Sequence, residues 1–428
     1  MISFGSTIES DWPDAPILMK LIKNEDMAIF SSFICRSLRN KYTRIGSRDY
    51  IHLNMNFSYW ENKEFIGNPD VVIIGSGITG LSAAIHIRRG NPKIKVLVLE
   101  RGMTPWGASS KNAGFACFGS LGEILDDLQT SSLDEIVGLI QYRKRGLETL
   151  VDLLGKNKFD FQQNGGFELF KSEQKEEFEN CKFRIKEFNS LLMREFGGEV
   201  FQVQSNSFGF KGIIGLIKNN FEAQIDTGKM MSAYLNLAKQ EGVKVLNGAS
   251  VKEINDLGNG VRLILEGGMT IKTGHAVICS NGFAKQFIND DVEPARAQVI
   301  ITKPIDNLKI KGTFHYDKGY YYFRNINDRI LLGGGRNLDF EGERTDVMDC
   351  NMLILNQLNT LIKEVILPNT PFEIDYSWAG IMGVGKVKTP IVKNLSNNLS
   401  CGVRLGGMGV ALGTSVGKEC ADLYFQKN

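Results

Sequence analysis

The chain has 428 residues, 43% of them hydrophobic and 23% charged, a composition that supplies a substantial core and excludes disordered and fibrous classes. Fifty basic against 48 acidic residues leave a formal charge of +2, so no global field favours nucleic acid or an anionic membrane, and small molecules are the default ligands. Seven scattered cysteines without a C-x-x-C pair argue against structural zinc and for a reducing compartment, and no apolar run approaches the roughly 18 residues that a membrane span needs.

Residues 1–66 read as an N-terminal extension of unclear role. Glu9, Asp11 and Asp14 argue against a secretory signal, while the basic stretch after Met27 (Arg36, Arg39, Lys41, Arg44, Arg48) has the character of a mitochondrial presequence. The plainer reading is a surface helix, or an upstream extension before a start at Met55. The cytoplasm is the expected location and the mitochondrial matrix the alternative.

Residues 67–165 open with a complete dinucleotide-binding unit. Val71-Val72-Ile73-Ile74 is a buried β-branched strand, and the turn Gly75-Ser76-Gly77-Ile78-Thr79-Gly80 leads into a helix over Leu81 to Arg89. Gly75 permits the tight turn, Gly77 lets backbone approach a pyrophosphate, and Gly80 lets helix pack on strand. The helix N-terminus faces the phosphates with free N–H groups and its positive dipole end. A second strand, Lys95 to Leu99, places Glu100 and Arg101 at its carboxyl end, where Glu100 would accept hydrogen bonds from a ribose. The small-residue loop from Gly107 to Gly119 is too long for a mere connector and is expected to approach a ligand, with Ser109, Ser110, Lys111, Asn112, Ala113 and Gly114 in its span. Helical pattern then runs from Leu121 to about Gly155.

Residues 166–220 change texture: a short strand from Gly166 to Phe170, a charged helix over Glu173 to Phe196, and extended segments. Residues 221–290 return to the first pattern, with a helix from Asp226 to Gly242, the strand Lys244 to Leu246, a hairpin-like pair beginning at Val251, and the buried strand Ala276 to Cys279 ending at Ser280-Asn281-Gly282. Residues 291–375 alternate strongly in Ala297 to Thr302 and Gly319 to Gly333, as in antiparallel strands of a second sheet, before a helix over Asp346 to Ile366. Residues 376–428 bring Trp378-Ala379-Gly380 and a second glycine loop, Gly407-Met408-Gly409-Val410-Ala411, before a C-terminal helix reaching about Phe425. The expected fold is therefore α/β: a Rossmann-type parallel sheet with helices, interleaved with an α+β substrate domain on a mostly antiparallel sheet. Alternation puts Tyr320, Tyr322 and Arg324 on one strand face, where arginine could bind a carboxylate and tyrosines could shape a slot. Tyr322, Arg324 and Lys111 are the candidate catalytic residues; Tyr321, Arg296, Trp378 and His315 are lesser candidates, and His52, His86 and His275 read as surface or structural. No metal site is expected.

The dinucleotide unit with Glu100, the loop Gly107 to Phe115, Ser280-Asn281-Gly282, Trp378-Ala379-Gly380 and the C-terminal glycine loop together resemble the D-amino-acid oxidase-like (DAO) family, from about Asp70 to the end. The segment Gly107-Ala108-Ser109-Ser110-Lys111-Asn112-Ala113-Gly114 is most similar to the branch that includes γ-glutamylputrescine oxidase. The resemblance implies non-covalent FAD, an amine or amino-acid substrate oxidised at its C–N bond by hydride transfer, imine hydrolysis, and oxygen or another electron acceptor. It implies that Gly75, Gly77 and Gly80 meet the pyrophosphate, Glu100 the adenosine ribose, Val251 the adenine side, and Gly407 to Val410 the flavin ring. The sarcosine oxidases of this family carry a substrate-binding lysine where Ala411 falls, and an oxygen-assisting lysine where Arg329-Ile330-Leu331-Leu332 offers apolar residues. A quinone- or carrier-linked dehydrogenase and a non-catalytic flavoprotein acting as an assembly factor are the alternatives to an oxidase.

Overall fold

A computed structural model describes residues 57–427. The presequence-like stretch and Met55 lie outside the described residues. The dinucleotide strand Val71–Ile74 sits at the centre of a six-stranded sheet in the order Ile391–Asn394, Leu399–Val403, His275–Ile278, Val71–Ile74, Val96–Leu99, Lys244–Leu246. Every pairing in it is parallel except the first, which is an antiparallel hairpin. The β-branched run Val71 to Ile74 is buried along its whole length, as a strand covered on both faces must be. Helix Ile78–Gly90 covers one face, and the C-terminal helix Gly409–Phe425 packs against it and against Leu133–Leu154. A three-stranded antiparallel sheet, Val251–Asp256, Val261–Leu265 and Thr270–Thr273, shares the core on the other face, where Val72, Leu97 and Ile278 meet Leu263 and Ile271.

The second large sheet has eight strands in the order Ile374–Val384, Glu293–Thr302, Arg329–Gly334, Tyr321–Ile326, Thr313–Tyr316, Gly166–Lys171, Ile213–Asn219, Phe201–Gln204. All its pairs are antiparallel except Thr313–Tyr316 with Gly166–Lys171, which joins the two halves contributed by residues 166–219 and 293–384. Helices Lys175–Phe196 and Met352–Leu361 pack on this sheet.

Two boundaries differ from the expectation. The helical stretch after Leu121 is two helices, Leu121–Asp127 and Leu133–Leu154, because Ser120 and Ser132 each form a capping box with Glu123 and Glu135 and so start a helix anew. The return to the parallel sheet comes at Ile391, not at 376. Trp378-Ala379-Gly380 is the middle of strand Ile374–Val384, which pairs with Glu293–Thr302 along its length, although Gly380 does line the cavity described below.

Candidate active site

A cavity of about 400 Å³ runs between the two large sheets. Its walls come from the first βα turn (Gly75, Gly77, Ile78, Thr79), the end of the second strand (Glu100, Arg101), the loop residues Ser109, Lys111, Asn112 and Ala113, Val251, Ser280 and Asn281, and the C-terminal loop from Gly407 through Met408, Gly409 and Val410 to Ala411. Both helices that begin at this cavity do so without a cap from the N-cap residue's own side chain, at Gly77 and at Met408, although at the first of them the Ile78 N–H is taken by Ser109 Oγ. Two hydroxyls in the wall, Thr79 Oγ1 and Ser280 Oγ, are buried and without a hydrogen-bond partner. A buried orphan hydroxyl is costly unless a ligand completes it, and both are in the part of the cavity built from the dinucleotide turn and its neighbouring strand.

The first turn is assembled tightly. A Cβ on Gly80 would lie 1.9 Å from the carbonyl oxygen of Gly75, and one on Gly77 would lie 2.7 Å from Ser109 Oγ. Ser109 Oγ in turn accepts from Ile78 N at 3.0 Å, tying the long loop to the helix start. Glu100 accepts four bonds from the protein itself: Ser76 Oγ at 2.7 Å, Ser76 N at 3.1 Å, Gly102 N at 2.9 Å and Trp106 N at 3.3 Å. It lines the cavity while clamping the turn to the loop. Arg101 lies over the Phe283 ring at 3.5 Å, and Lys111 over the Trp106 ring at 4.4 Å. Burial pulls the Lys111 ammonium below the usual lysine range, against the attraction of Glu100.

Several residues expected in the site stand behind its wall. Ser76 spends its N–H and hydroxyl on Glu100. Gly80 is packed against Gly75, Gly114 against Ile225 and Arg324, and Gly282 against the backbone of Met382. Ser110 donates to Pro105 O at 2.5 Å. None of these lines the cavity. Arg324 is the largest correction. Tyr322 does line the cavity, but the Arg324 guanidinium, on the same strand face, donates to Ala113 O, to Ile225 O at 2.9 Å and to Asn325 O at 3.2 Å. It is a buried latch between loop and strand, with three of its five N–H groups given to carbonyls, and it does not line the cavity. Arg296 is paired with buried Glu343 at 2.8 Å. Trp378 donates to Lys111 O at 2.9 Å, and Tyr321 is buried in the core of the eight-stranded sheet.

The wall formed by that sheet also holds residues the sequence reading passed over. Arg336 and Phe340 line the cavity beside Tyr320. Arg336 Nε is buried without a partner, and its guanidinium stacks over Phe340 at 5.2 Å. His315 and Glu123 line the same cavity, with Cys117 beside them. His315 stands 3.7 Å from the buried Glu222 carboxylate. Burial alone would depress this imidazole, but Glu222, Glu123 and Glu168 outweigh it and hold His315 up at about 9. Burial pushes Glu168 up to about 7 and takes Cys117 well above the usual thiol range. The alternation around Thr313 to Tyr316 signals a strand; nothing local in the sequence announces that Glu222, in a turn, would meet it.

Comparisons with known proteins agree with this architecture. The family described as DAO, FAD dependent oxidoreductase, matches residues 70–423. The chain is similar to the γ-glutamylputrescine oxidoreductase of Escherichia coli K12, 22% identical over 373 residues and 83% of each chain. Among solved structures it resembles the glycine oxidase of Geobacillus kaustophilus (TM-score 0.67, 19% identity, 84% of this chain and 95% of that one) and the L-proline dehydrogenase of P. horikoshii (0.65, 20%, 84% and 94%). With the family match spanning most of its length, the chain belongs to the DAO family of FAD-dependent oxidoreductases.

Proposed function

We propose that this enzyme oxidises the C–N bond of a small amine bearing an anionic group, such as an amino acid, by hydride transfer to non-covalent FAD, giving an imine that water hydrolyses. The observation that carries the reading is the composition of the cavity: one part is the dinucleotide turn together with the start of the C-terminal helix, the other a wall of Tyr320, Tyr322, Arg336 and Phe340. Bound FAD supplies the two-electron acceptor. Gly75, Gly77, Ile78 and Thr79 would hold its pyrophosphate, Glu100 and Arg101 the adenosine with Val251 beside it, and Ser109, Lys111, Asn112, Ala113, Ser280, Asn281 and Gly407 to Ala411 the rest. The orphan hydroxyls of Thr79 and Ser280 gain partners in that arrangement.

Arg336 takes the part expected of Arg324: its unpartnered Nε suits a carboxylate on the substrate, with the rings of Tyr320 and Phe340 beside it in the cavity wall. Anaerobic mixing of the FAD-loaded enzyme with glycine, sarcosine, D-alanine, L-proline, γ-glutamylputrescine, putrescine and benzylamine tests this. Carboxylate-bearing compounds should bleach the flavin and simple amines should not; colourless protein that binds NAD instead would sink the reading.

A second reading concerns the acceptor. Leu331 is buried against the cavity-lining residues Ala113 and Val299, so the strand Arg329–Gly334 packs an apolar side chain, and no lysine, behind this part of the wall. This supports a dehydrogenase that passes electrons to a carrier, and reduced flavin that persists in air would mark it.

A further inference from the structure

Where the long loop meets the eight-stranded sheet, three separate elements bring a thiol, an imidazole and a carboxylate together. Cys117 follows the strand Phe115–Ala116, whose antiparallel pairing with Ala223–Gln224 sets Ala116 opposite Ala223 and so carries Cys117 toward Glu222. The two residues after Cys117 then grip that carboxylate: Glu222 Oε1 accepts from Phe118 N at 3.1 Å and from Gly119 N at 3.3 Å. Its other oxygen, Oε2, faces His315 Nε2 at 3.7 Å, too far for a hydrogen bond. That nitrogen is buried and has no partner. One donor atom from each of Cys117, Glu222 and His315 lies within 4.8 Å of the other two. Cys117 and His315 line the cavity, and Glu222 stands behind its wall.

We infer that Cys117, Glu222 and His315 form a site for a zinc ion in the cavity wall, against the expectation that this chain holds no metal. Thiolate and imidazole select a borderline-soft cation such as zinc over magnesium or calcium, which take oxygen ligands. Tetrahedral bonds of about 2.3 Å to sulfur and 2.0–2.1 Å to nitrogen or oxygen put donor atoms roughly 3.3–3.6 Å apart. The 3.7 Å between His315 and Glu222 is already close to that, and the 4.8 Å limit on the other gaps calls for a shift of little more than roughly 1 Å. Side-chain rotation supplies a shift of that size. The two backbone bonds on Glu222 Oε1 orient the carboxylate and leave Oε2 as the donor, as outer partners orient a metal ligand. Charge points the same way. Glu168 and Glu222 are buried and Glu123 is half-buried, while the buried cation that acts on this cluster is Arg143, so a dication offsets acid that one guanidinium leaves over. Three protein ligands are the number found at catalytic zinc, whose remaining place takes water or substrate, and Cys117 and His315 turn this site toward the cavity.

The test uses the full-length FAD-loaded protein, freed of metal with a chelator and titrated calorimetrically with zinc chloride. Wild type should bind one zinc per chain, and X-ray absorption at the zinc edge should show one sulfur at about 2.3 Å with nitrogen and oxygen at about 2.0–2.1 Å. Cobalt(II) in its place should give tetrahedral d–d bands to the red of the flavin absorption. Cys117→Ser, His315→Asn and Glu222→Gln, compared at equal FAD content, should each weaken binding by more than the 10–100-fold that loss of an outer partner costs a metal site. Cys350→Ser, at a cysteine outside the cluster, should bind zinc as wild type does. No binding by wild type, a zinc shell without sulfur, or equal affinity in wild type and all three cluster variants, as an adventitious surface ion gives, overturns the inference. Should the cluster variants fail to hold FAD, the wild-type absorption spectrum decides alone. None of these readouts needs a substrate, so the outcome is independent of the amine-oxidation reading.

Discussion

Replacing Arg324 by methionine separates a structural latch from a substrate clamp. The guanidinium is 4% exposed and makes its hydrogen bonds to three backbone carbonyls, Ala113, Ile225 and Asn325. Hydrogen bonds to a charged group contribute about 1.5–3 kcal/mol each, and the carbonyls left behind in the interior cannot all find water. Against this, the methionine variant would no longer carry a desolvated cation: burial pulls the Arg324 guanidinium down to about 10, which returns roughly 3 kcal/mol on its removal. The balance is a destabilisation of about 3 kcal/mol. At about 2.1 cal/mol/K of unfolding entropy per residue, that lowers the melting temperature of a chain of this size by roughly 3–4 °C. Thermal unfolding of the FAD-loaded enzyme, followed by the rise in flavin fluorescence, measures it. Because the latch holds Ala113 in the cavity wall, FAD should also dissociate more readily, while the substrate concentration giving half-maximal reduction moves by less than about threefold. An unchanged melting temperature with a 100-fold weaker substrate dependence would refute the latch and restore the clamp.

Gly80→Ala should lower both FAD content and stability by about 1–3 kcal/mol, since its Cβ would meet the Gly75 carbonyl at 1.9 Å; flavin absorbance per protein reads the first and denaturant titration the second. Ser76→Ala removes the shortest of the four bonds to Glu100, and should weaken FAD binding more than tenfold by isothermal titration if that clamp sets the cofactor end of the cavity. Burial lowers His275 to about 4, so the unfolded chain takes up a proton below pH 6.5 that the folded one refuses. Stability should hold above pH 6.5 and fall by up to about 3 kcal/mol as pH drops to 4, and His275→Gln should flatten that slope in melting curves. Acid precipitation should release all the yellow colour into the supernatant, as non-covalent FAD requires; colour retained in the pellet would point to a covalent link.

The parts of this architecture that were readable in the sequence are local ones. Four β-branched residues followed by glycines at 75, 77 and 80, and an acid closing the next strand, form within one continuous segment, and the spacing alone orders them. Arg324 shows where such reading stops. Alternation correctly puts it on the face of Tyr322, but period two assigns a face and says nothing of reach, and its acceptors Ala113 and Ile225 are far away in the chain. Ser76 fails in the same manner: its position in the turn placed it with the cofactor, while its N–H and hydroxyl are both donated to Glu100. The ionisable group around His315 was the least legible, because it exists only through the parallel pairing of Thr313–Tyr316 with Gly166–Lys171 and the placement of Glu222 in a turn. Arg336 was missed for a simpler reason, since it follows the run Gly333-Gly334-Gly335 where a strand pattern has already ended.

The packing of helix Gly409–Phe425 against helix Ile78–Gly90 sets an order on maturation. Ser82 Oγ donates to Thr414 O at 2.7 Å, and a Cβ on Gly417 would lie 2.4 Å from Thr79 O, so helix Gly409–Phe425 is seated directly on the dinucleotide turn. A ribosome delivers the Gly75 turn long before the Gly407 loop, and domains settle as synthesis proceeds. A nascent chain therefore carries an incomplete cleft until that loop emerges. A polypeptide truncated before Gly407 would have every glycine of the dinucleotide motif in place and would lack the part of the cavity wall that Gly407 to Ala411 provide.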